Sequence, residues 1–270
     1  MLALIVTVPT EEEDAATFAL WEAGTTGIEV RSAPGAVELH AYFTEAPSEE
    51  ALRALPSGAR VAPAEVPQVD WLAHFRAGFR SFRVGGFLVV PRWETAPDAD
   101  DVILVDPGRA FGTGTHETTR LCLVALEDLA HRRPLGRCLD LGCGTGLLAI
   151  AAARKGASPV TASDLDPEAT LSAVVHSRLN HVALSVVRAD GARAFRRRSF
   201  DLVLANLTAP LLVERAQEIR SLLAPAGSLV LSGFLVDDEP PVARAYASLG
   251  RPEARADGEW RALVYGDVHE

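Results

Sequence analysis

The residues that could do chemistry cluster in the middle third of the chain. In LDLGCGTGLLAIAA, residues 139–152, three glycines follow a strand-like segment and open a helical one. Gly142, Gly144 and Gly146 let the backbone turn tightly and approach a ligand where a Cβ would intrude. The helix behind them offers its unpaired N–H groups to that ligand. Asp164 ends the next strand, about 20 residues on, where a carboxylate accepts hydrogen bonds from ribose hydroxyls. Asp166 follows it, and Pro167 opens the next helix. This is a nucleoside-cofactor pattern. Gly144-Thr-Gly146-Leu-Leu-Ala149 also fits the dinucleotide G-x-G-x-x-G/A fingerprint, so a nicotinamide or flavin dinucleotide competes for the site. Asp140 favours another ligand. Two residues before Gly142, it is expected to point into the mouth of the turn. There it would repel a pyrophosphate and attract a cationic amino acid. S-adenosylmethionine (SAM) carries a sulfonium and an ammonium and no phosphate.

A second segment, DPGRAFGTGTHETTR at 106–120, lacks the lysine of a phosphate loop. It precedes the first strand of the nucleotide-binding region, so it is expected to fold over the cofactor's amino-acid end. Its glycines, Gly112 and Gly114 among them, would let it open and close. Phe111 would exclude water and Thr119 would anchor the far end. Thr118 and Thr119 are also expected to cap the helix RLCLVALEDLA. His116 could serve as a general base or order the loop, and Glu117 could pair with an amine or sit in solvent. Asn206 ends the strand FDLVLAN beside the glycine turn, at a switch point where its amide oxygen could accept the N–H of an incoming amine. Asp190, ending an earlier strand, could reach an adenine amino group.

The elements that must position these groups fall into two patterns. From Arg137 onward, strands alternate with helices of 10–15 residues, the mark of βαβ units and a parallel sheet. The N-terminal region reads differently. LALIVTVP is a strand, and residues 11–24 form a helix with acids at its start and Gly24 at its end. TGIEVRS and AVELHAYF form a hairpin, a short helix begins at Ser48, and a short strand lies near 59–62. That order, βαββαβ, predicts a small ferredoxin-like α+β domain over residues 1–62. LPSGARVAPAEVPQ, with three prolines, reads as a linker. Trp71, Phe75, Phe79 and Phe82 recur at helical spacing, which predicts an amphipathic helix within a linker region of 63–83. Residues 84–270 form the catalytic domain.

Composition narrows the partners. The chain has 270 residues, 48% of them hydrophobic, enough to bury a substantial core. A net charge of −10 disfavours nucleic-acid backbones and anionic membranes. Cys122, Cys138 and Cys143 are odd in number and form no C-x-x-C pair, which argues against a disulfide framework or a zinc site. The longest uncharged run, Ser221 to Val236, is interrupted by Pro225, Gly227 and Gly233 and falls short of the ~20 residues of a membrane span. A soluble, cytoplasmic monomer without metal is expected, with no membrane and no direct nucleic-acid partner.

LDLGCGTG, DLDP and NLTAPLL together resemble class I SAM-dependent methyltransferases. DWLAHFRAGFRSFRVGGFLVVPRW, LVDPGRAFGTGTHETTRLCL and LVLSGFL narrow the resemblance to the ribosomal protein L11 methyltransferase (PrmA) family. The likeness runs from about Asp70 to the C-terminus and is most specific in AFGTGTHETT. The first 60 residues match only in length and element order. The resemblance implies a ferredoxin-like N-terminal domain that grips the substrate protein, and a Rossmann-like catalytic sheet of order 3-2-1-4-5-7-6. It implies methyl transfer from SAM to lysine ε-amines and the N-terminal α-amine of ribosomal protein L11. It also implies SAM contacts at Thr119, Gly142, Asp164 and Asn206, with Phe111, Gly112, Thr113 and His116 in the loop over the methionine end. His176 stands where an asparagine is common, while Asn180 matches. Leu207 and Thr208 replace the prolines of the N-P-P-[FY] motif of amino-methylating enzymes. The alternatives are a related protein-lysine methyltransferase with another substrate, a methyltransferase of small-molecule or nucleic-acid amines, or a nicotinamide oxidoreductase.

Overall fold

The computed structural model describes residues 2–33, 35–44, 46–64, 79–107 and 112–266. The chain divides into two compact units, Met1–Asp70 and Trp71–Glu270.

In the first unit β1 (Leu2–Pro9), α1 (Glu13–Glu22), β2 (Gly27–Ala33), β3 (Ala36–Phe43), α2 (Glu49–Arg53) and β4 (Arg60–Ala64) follow in that order. The strands form an antiparallel sheet of order β2-β3-β1-β4. Side chains alternate between faces with period two. Val6 and Val8 of β1 and Leu39, Ala41 and Phe43 of β3 therefore share one face, and they pack with Ala16 and Leu20 of α1. The other face carries Glu29, Arg31 and Tyr42, where Arg31 bonds Glu29 at 3.0 Å. The strand β4 runs through the proline-containing stretch that reads as a linker. Pro63 is tolerated there because β4 is an edge strand and pairs only with β1.

Among its described residues, the second unit first forms a three-stranded sheet, β5 (Phe82–Val84), β6 (Phe87–Pro91) and β7 (Val102–Val105). Phe82 departs from the expected amphipathic helix. It pairs with Val89 as the first residue of β5, and residues 79–81 are not helical. Trp71 and Phe75 lie outside the described residues. The main fold then runs α3 (Glu117–Arg132), β8 (Cys138–Leu141), α4 (Leu147–Arg154), β9 (Val160–Asp164), α5 (Pro167–Leu179), β10 (Ser185–Arg188) and β11 (Phe200–Asn206). It ends with α6 (Ala209–Glu214), α7 (Ala216–Leu222), β12 (Leu223–Leu235), α8 (Glu239–Ala245), β13 (Glu253–Asp257) and β14 (Trp260–Tyr265). The stretch between β11 and β12 holds two short helices, with Arg215 between them.

The seven strands are ordered β10-β9-β8-β11-β12-β14-β13. Numbered from β8, that is 3-2-1-4-5-7-6. Strands β10, β9, β8, β11 and β12 are parallel, and β14 runs antiparallel to both its neighbours. Period-two alternation splits the core. Cys138, Leu202, Leu204 and Val230 face one layer with Leu123, Leu126 and Ile150. Leu139, Val203, Leu229 and Leu231 face the other, with Leu212, Ile219 and Tyr246. Sheets with both faces covered show this arrangement.

His176 of α5 and Asn180 at its C-terminal cap hold β7, the strand leading into the 106–120 segment. Asn180 accepts from Leu104 N–H through Oδ1 and donates to Leu104 O through Nδ2, both at 2.8 Å. His176 Nε2 accepts the Asp106 N–H at 3.0 Å, and its Nδ1 donates to the Ser172 carbonyl at 2.8 Å. The hairpin turn between β5 and β6 is held by α3, where Glu127 Oε2 accepts the Gly86 N–H at 2.6 Å and Oε1 meets Lys155 Nζ at 3.0 Å.

Candidate active site

The parallel strands deliver their C-terminal ends to one edge, where ligands bind in open α/β sheets. β8 ends there in the glycine turn. Gly142, Gly144 and Gly146 have φ of +74°, +53° and +78°. A Cβ on Gly142 would overlap the Leu207 side chain, and one on Gly146 would stand 3.0 Å from Ala173 Cβ, where α4 packs on α5. Asp164 braces the turn from the next strand. Its Oδ2 accepts the Gly144 N–H at 2.9 Å and its Oδ1 accepts the Asp166 N–H at 3.0 Å. Cys143 sits inside the turn, 6% exposed. Burial, with the charges of Asp140 and Asp164, pushes its thiol well above the usual range.

Asp140 differs from expectation. The residue is 1% exposed, and its Oδ2 accepts the Ala149 N–H at 3.0 Å, so it serves the first turn of α4. Burial pushes its carboxyl up to about 7, against the pull of that hydrogen bond.

Beside the turn lies a cleft of about 350 Å³ whose lining includes Gly142, Asp164, Leu165, Asp190, Leu207 and Arg215. Its walls are mostly apolar, suited to a purine, with two carboxylates at hand. Among the described residues its one guanidinium is already committed: Arg215 meets Asp190 at 3.3 Å, Glu214 at 3.4 Å and Glu218 at 3.6 Å. The open cradle, the apolar walls and the carboxylates fit a nucleoside cofactor without a phosphate. SAM is such a cofactor.

The 106–120 segment comes back to the same place. Phe111 lies outside the described residues. Gly112 has φ of +95°, and the Thr145 hydroxyl, from within the glycine turn, donates to its carbonyl at 2.6 Å. Gly114, at φ +93°, passes close to Phe82 and Leu147, where a Cβ would stand 3.1 and 3.3 Å away. Thr113 Oγ1 lies 3.3 Å from Thr115 Oγ1.

The cap of α3 is His116, not the threonines. Its Nδ1 accepts the Thr118 N–H at 3.3 Å. Thr118 and Thr119 follow in the first turn, each 1% exposed. Their hydroxyls turn toward Asn206, whose Nδ2 donates to Thr118 Oγ1 at 3.2 Å and to Thr119 Oγ1 at 3.5 Å. The His116 ring meets the Trp260 ring edge-on at 4.7 Å. Glu117 lies 3.6 Å from Arg120, which also grips Asp257 through Nε at 2.9 Å and Nη2 at 2.6 Å.

Asn206 is held from below as well. Leu207 N–H donates to the Ser232 carbonyl at 3.0 Å, and the Leu207 backbone lies against Gly233, whose φ is +98°.

The fold thus brings together the glycine turn, Asp164, Gly112, His116, Thr119 and Asn206. Asp190 lines the same cleft, where it meets Arg215. Sequence reasoning missed Thr145, Gly233 and Trp260. A hydroxyl set between glycines was a signal for Thr145. Nothing local marked the other two.

Among the described residues, no group of three His, Cys, Asp or Glu side chains could hold a metal ion. Nor is any described helix long and apolar enough to cross a membrane.

The family model described as ribosomal protein L11 methyltransferase (PrmA) matches residues 1–267. A ribosomal protein L11 methyltransferase of Geobacter sulfurreducens is 44% identical over 215 residues, 76% of this chain and 70% of that protein. One from Geobacter metallireducens is 39% identical over 246 residues, 84% of this chain and 81% of the relative. A crystal structure of a ribosomal protein L11 methylase from Lactobacillus delbrueckii subsp. bulgaricus is similar at a TM-score of 0.64 and 30% identity. That match covers 71% of this chain and 100% of the other.

Proposed function

The chain belongs to the ribosomal protein L11 methyltransferase family and is a SAM-dependent methyltransferase; from that premise we propose that it methylates lysine ε-amines and the N-terminal α-amine of ribosomal protein L11. The observation that carries the reading is the family match along residues 1–267, which includes the N-terminal unit as well as the catalytic fold. We also propose that the enzyme acts in the cytoplasm as a monomer, with no membrane and no direct nucleic-acid partner.

SAM, when bound, supplies an electrophilic methyl group on its sulfonium. Gly142 would take the cofactor against its bare backbone, Asp164 would accept from the ribose hydroxyls, and Asp190 from the adenine amino group. Gly112, Thr113 and Thr119, with Asp140 beneath the turn, would enclose the amino-acid end. Phe111 would shield it.

The acceptor amine must be neutral. Deprotonating a lysine of pKa near 10.4 costs about 4.6 kcal/mol at pH 7, and an α-amine near 7.8 about 1. A dry pocket lowers that cost by disfavouring the ammonium. The remaining task is aim. Asn206 Oδ1 would accept an N–H of the amine and turn its lone pair toward the methyl group. His116 would order the loop and not act as the base, a role supported by its Nδ1 already accepting from Thr118.

The test is incubation of the purified enzyme with methyl-labelled SAM and recombinant L11, followed by peptide mass spectrometry. Methyl groups on lysines and on the N-terminus are expected. Label on another ribosomal protein but not on L11 would move the substrate elsewhere.

A further inference from the structure

The direction of one hydrogen-bond chain can be read from heavy atoms alone. The Thr118 backbone N–H donates to His116 Nδ1, so that nitrogen carries a lone pair and the ring proton sits on Nε2. The Thr118 hydroxyl lies 2.9 Å from the same Nδ1. It must therefore donate there. Its oxygen is left with lone pairs only, and the neighbour they meet at 3.2 Å must be a donor. That neighbour is an amide whose N and O are otherwise hard to tell apart. The chain's polarity decides: the NH₂ of Asn206 faces Thr118. Its second hydrogen turns to Thr119 Oγ1 at 3.5 Å. With Nδ2 turned to the two threonines, Oδ1 is the amide atom left to accept from an incoming amine. The Trp260 ring, edge-on to His116 at 4.7 Å, holds the imidazole at the head of the chain.

We propose that Thr118 is a positioning residue for methyl transfer: its hydroxyl, aimed by His116, orients the Asn206 amide so that the amide oxygen meets the substrate amine. Thr118 is 1% exposed, and its hydroxyl meets the Asn206 amide at 3.2 Å, so it acts through Asn206. A cap-only role, which its place in the helix suggests, would need no hydroxyl pointed at the end of β11. The inference rests on the reading that Asn206 receives the amine.

The experiment compares Thr118→Val, which keeps the shape and removes the hydroxyl, with Thr118→Ser, which keeps the hydroxyl. Thr118→Val should lower kcat roughly tenfold to a hundredfold, the range of a small misplacement of a reacting group. Binding of S-adenosylhomocysteine should stay within about twofold, because the cofactor contacts remain, and Thr118→Ser should recover most of the rate. Residues acting as one unit are non-additive, so adding Thr118→Val to Asn206→Ala should cost nothing further. An unchanged kcat in Thr118→Val would overturn the proposal. So would losses that multiply in the double variant, or a fall in cofactor binding that matches the fall in rate. The wild-type lane separates this from the substrate reading. If L11 takes no label, that reading fails, and the Thr118 comparison is made on whichever protein of a ribosomal extract is labelled.

Discussion

The Cα of Gly233 lies directly beneath the backbone of Leu207, so closely that a Cβ there would stand 2.8 Å from the Leu207 carbonyl carbon and 2.9 Å from its nitrogen. The segment leaving Asn206 crosses β12 at Gly233, where no side chain stands in its way. Gly233→Ala must therefore push Leu207 upward and take Asn206 with it. A loss of kcat of more than tenfold is expected, with destabilisation of about 2–3 kcal/mol from clash and strain. Gly156 supplies the control. Its φ is +89° and nothing lies within 4 Å of its Cβ position, so Gly156→Ala should cost only the left-handed penalty of about 1–2 kcal/mol and leave kcat intact. Urea unfolding and single-turnover rates measure the two effects separately.

Thr145 ties the loop to the glycine turn through one hydrogen bond to Gly112 O. Removing the hydroxyl with Thr145→Val leaves the helix it precedes undisturbed. The expected result is several-fold weaker S-adenosylhomocysteine binding, matching the ~1 kcal/mol of a single hydrogen bond, with little change in Tm. Isothermal titration decides it; unaltered affinity would mean that the loop closes without this tether.

Asp140 should make cofactor binding pH-dependent. Its carboxyl is raised from 3.8 to about 7 by burial. A raised folded-state value means the neutral form is favoured in the fold, so this contribution to stability is complete below pH 3.8 and lost as pH rises through about 7. Ionised Asp140 therefore strains the empty protein but would favour a cationic cofactor tail. Two outcomes are expected. Affinity for SAM should rise between pH 6 and pH 8 in the wild type and stay flatter in Asp140→Asn. Above pH 7, the ligand-free Asp140→Asn protein should melt higher than wild type.

His176 should act in the opposite direction. Burial holds its imidazole below the usual value of 6.5, and its Nε2 must stay unprotonated to accept the Asp106 N–H. The stability it contributes is present above pH 6.5 and is lost as pH falls through the lowered folded-state value. Replacing it with asparagine, which takes up no proton, should flatten the decline of the urea midpoint between pH 7 and pH 5. Equal slopes in the two proteins would assign the decline to other groups.

Much of this site was legible before the fold was known. Glycines at 142, 144 and 146 and a carboxylate at 164 report a backbone conformation and a strand end, and both are local facts. The alternation of strands with helices from Arg137 onward likewise carried the sheet. Other features depended on partners distant in sequence. Phe82 keeps helical spacing with Phe79, yet it belongs to a strand because Val89 pairs with it. Thr118 and Thr119 look like caps because threonine caps helices, but His116 has taken that place and freed their hydroxyls for Asn206, 88 and 87 positions away. Gly233 seems an ordinary strand glycine until Leu207 is laid over it. Asp140 drew attention by its charge, while the fold uses it first as an acceptor for α4.

The buried thiol of Cys143 has a consequence for selectivity. A cradle for an alkylating agent is a dangerous place for sulfur, because a thiolate there would compete with any amine for the methyl group. Cys143 stands inside that cradle, 6% exposed, and burial, with the charges of Asp140 and Asp164 added to it, holds the thiol in its protonated, unreactive form. The close packing of the turn, helped by the negative charges that suit a cationic donor, thus keeps the enzyme's own sulfur out of the reaction, leaving the methyl group for the incoming nitrogen.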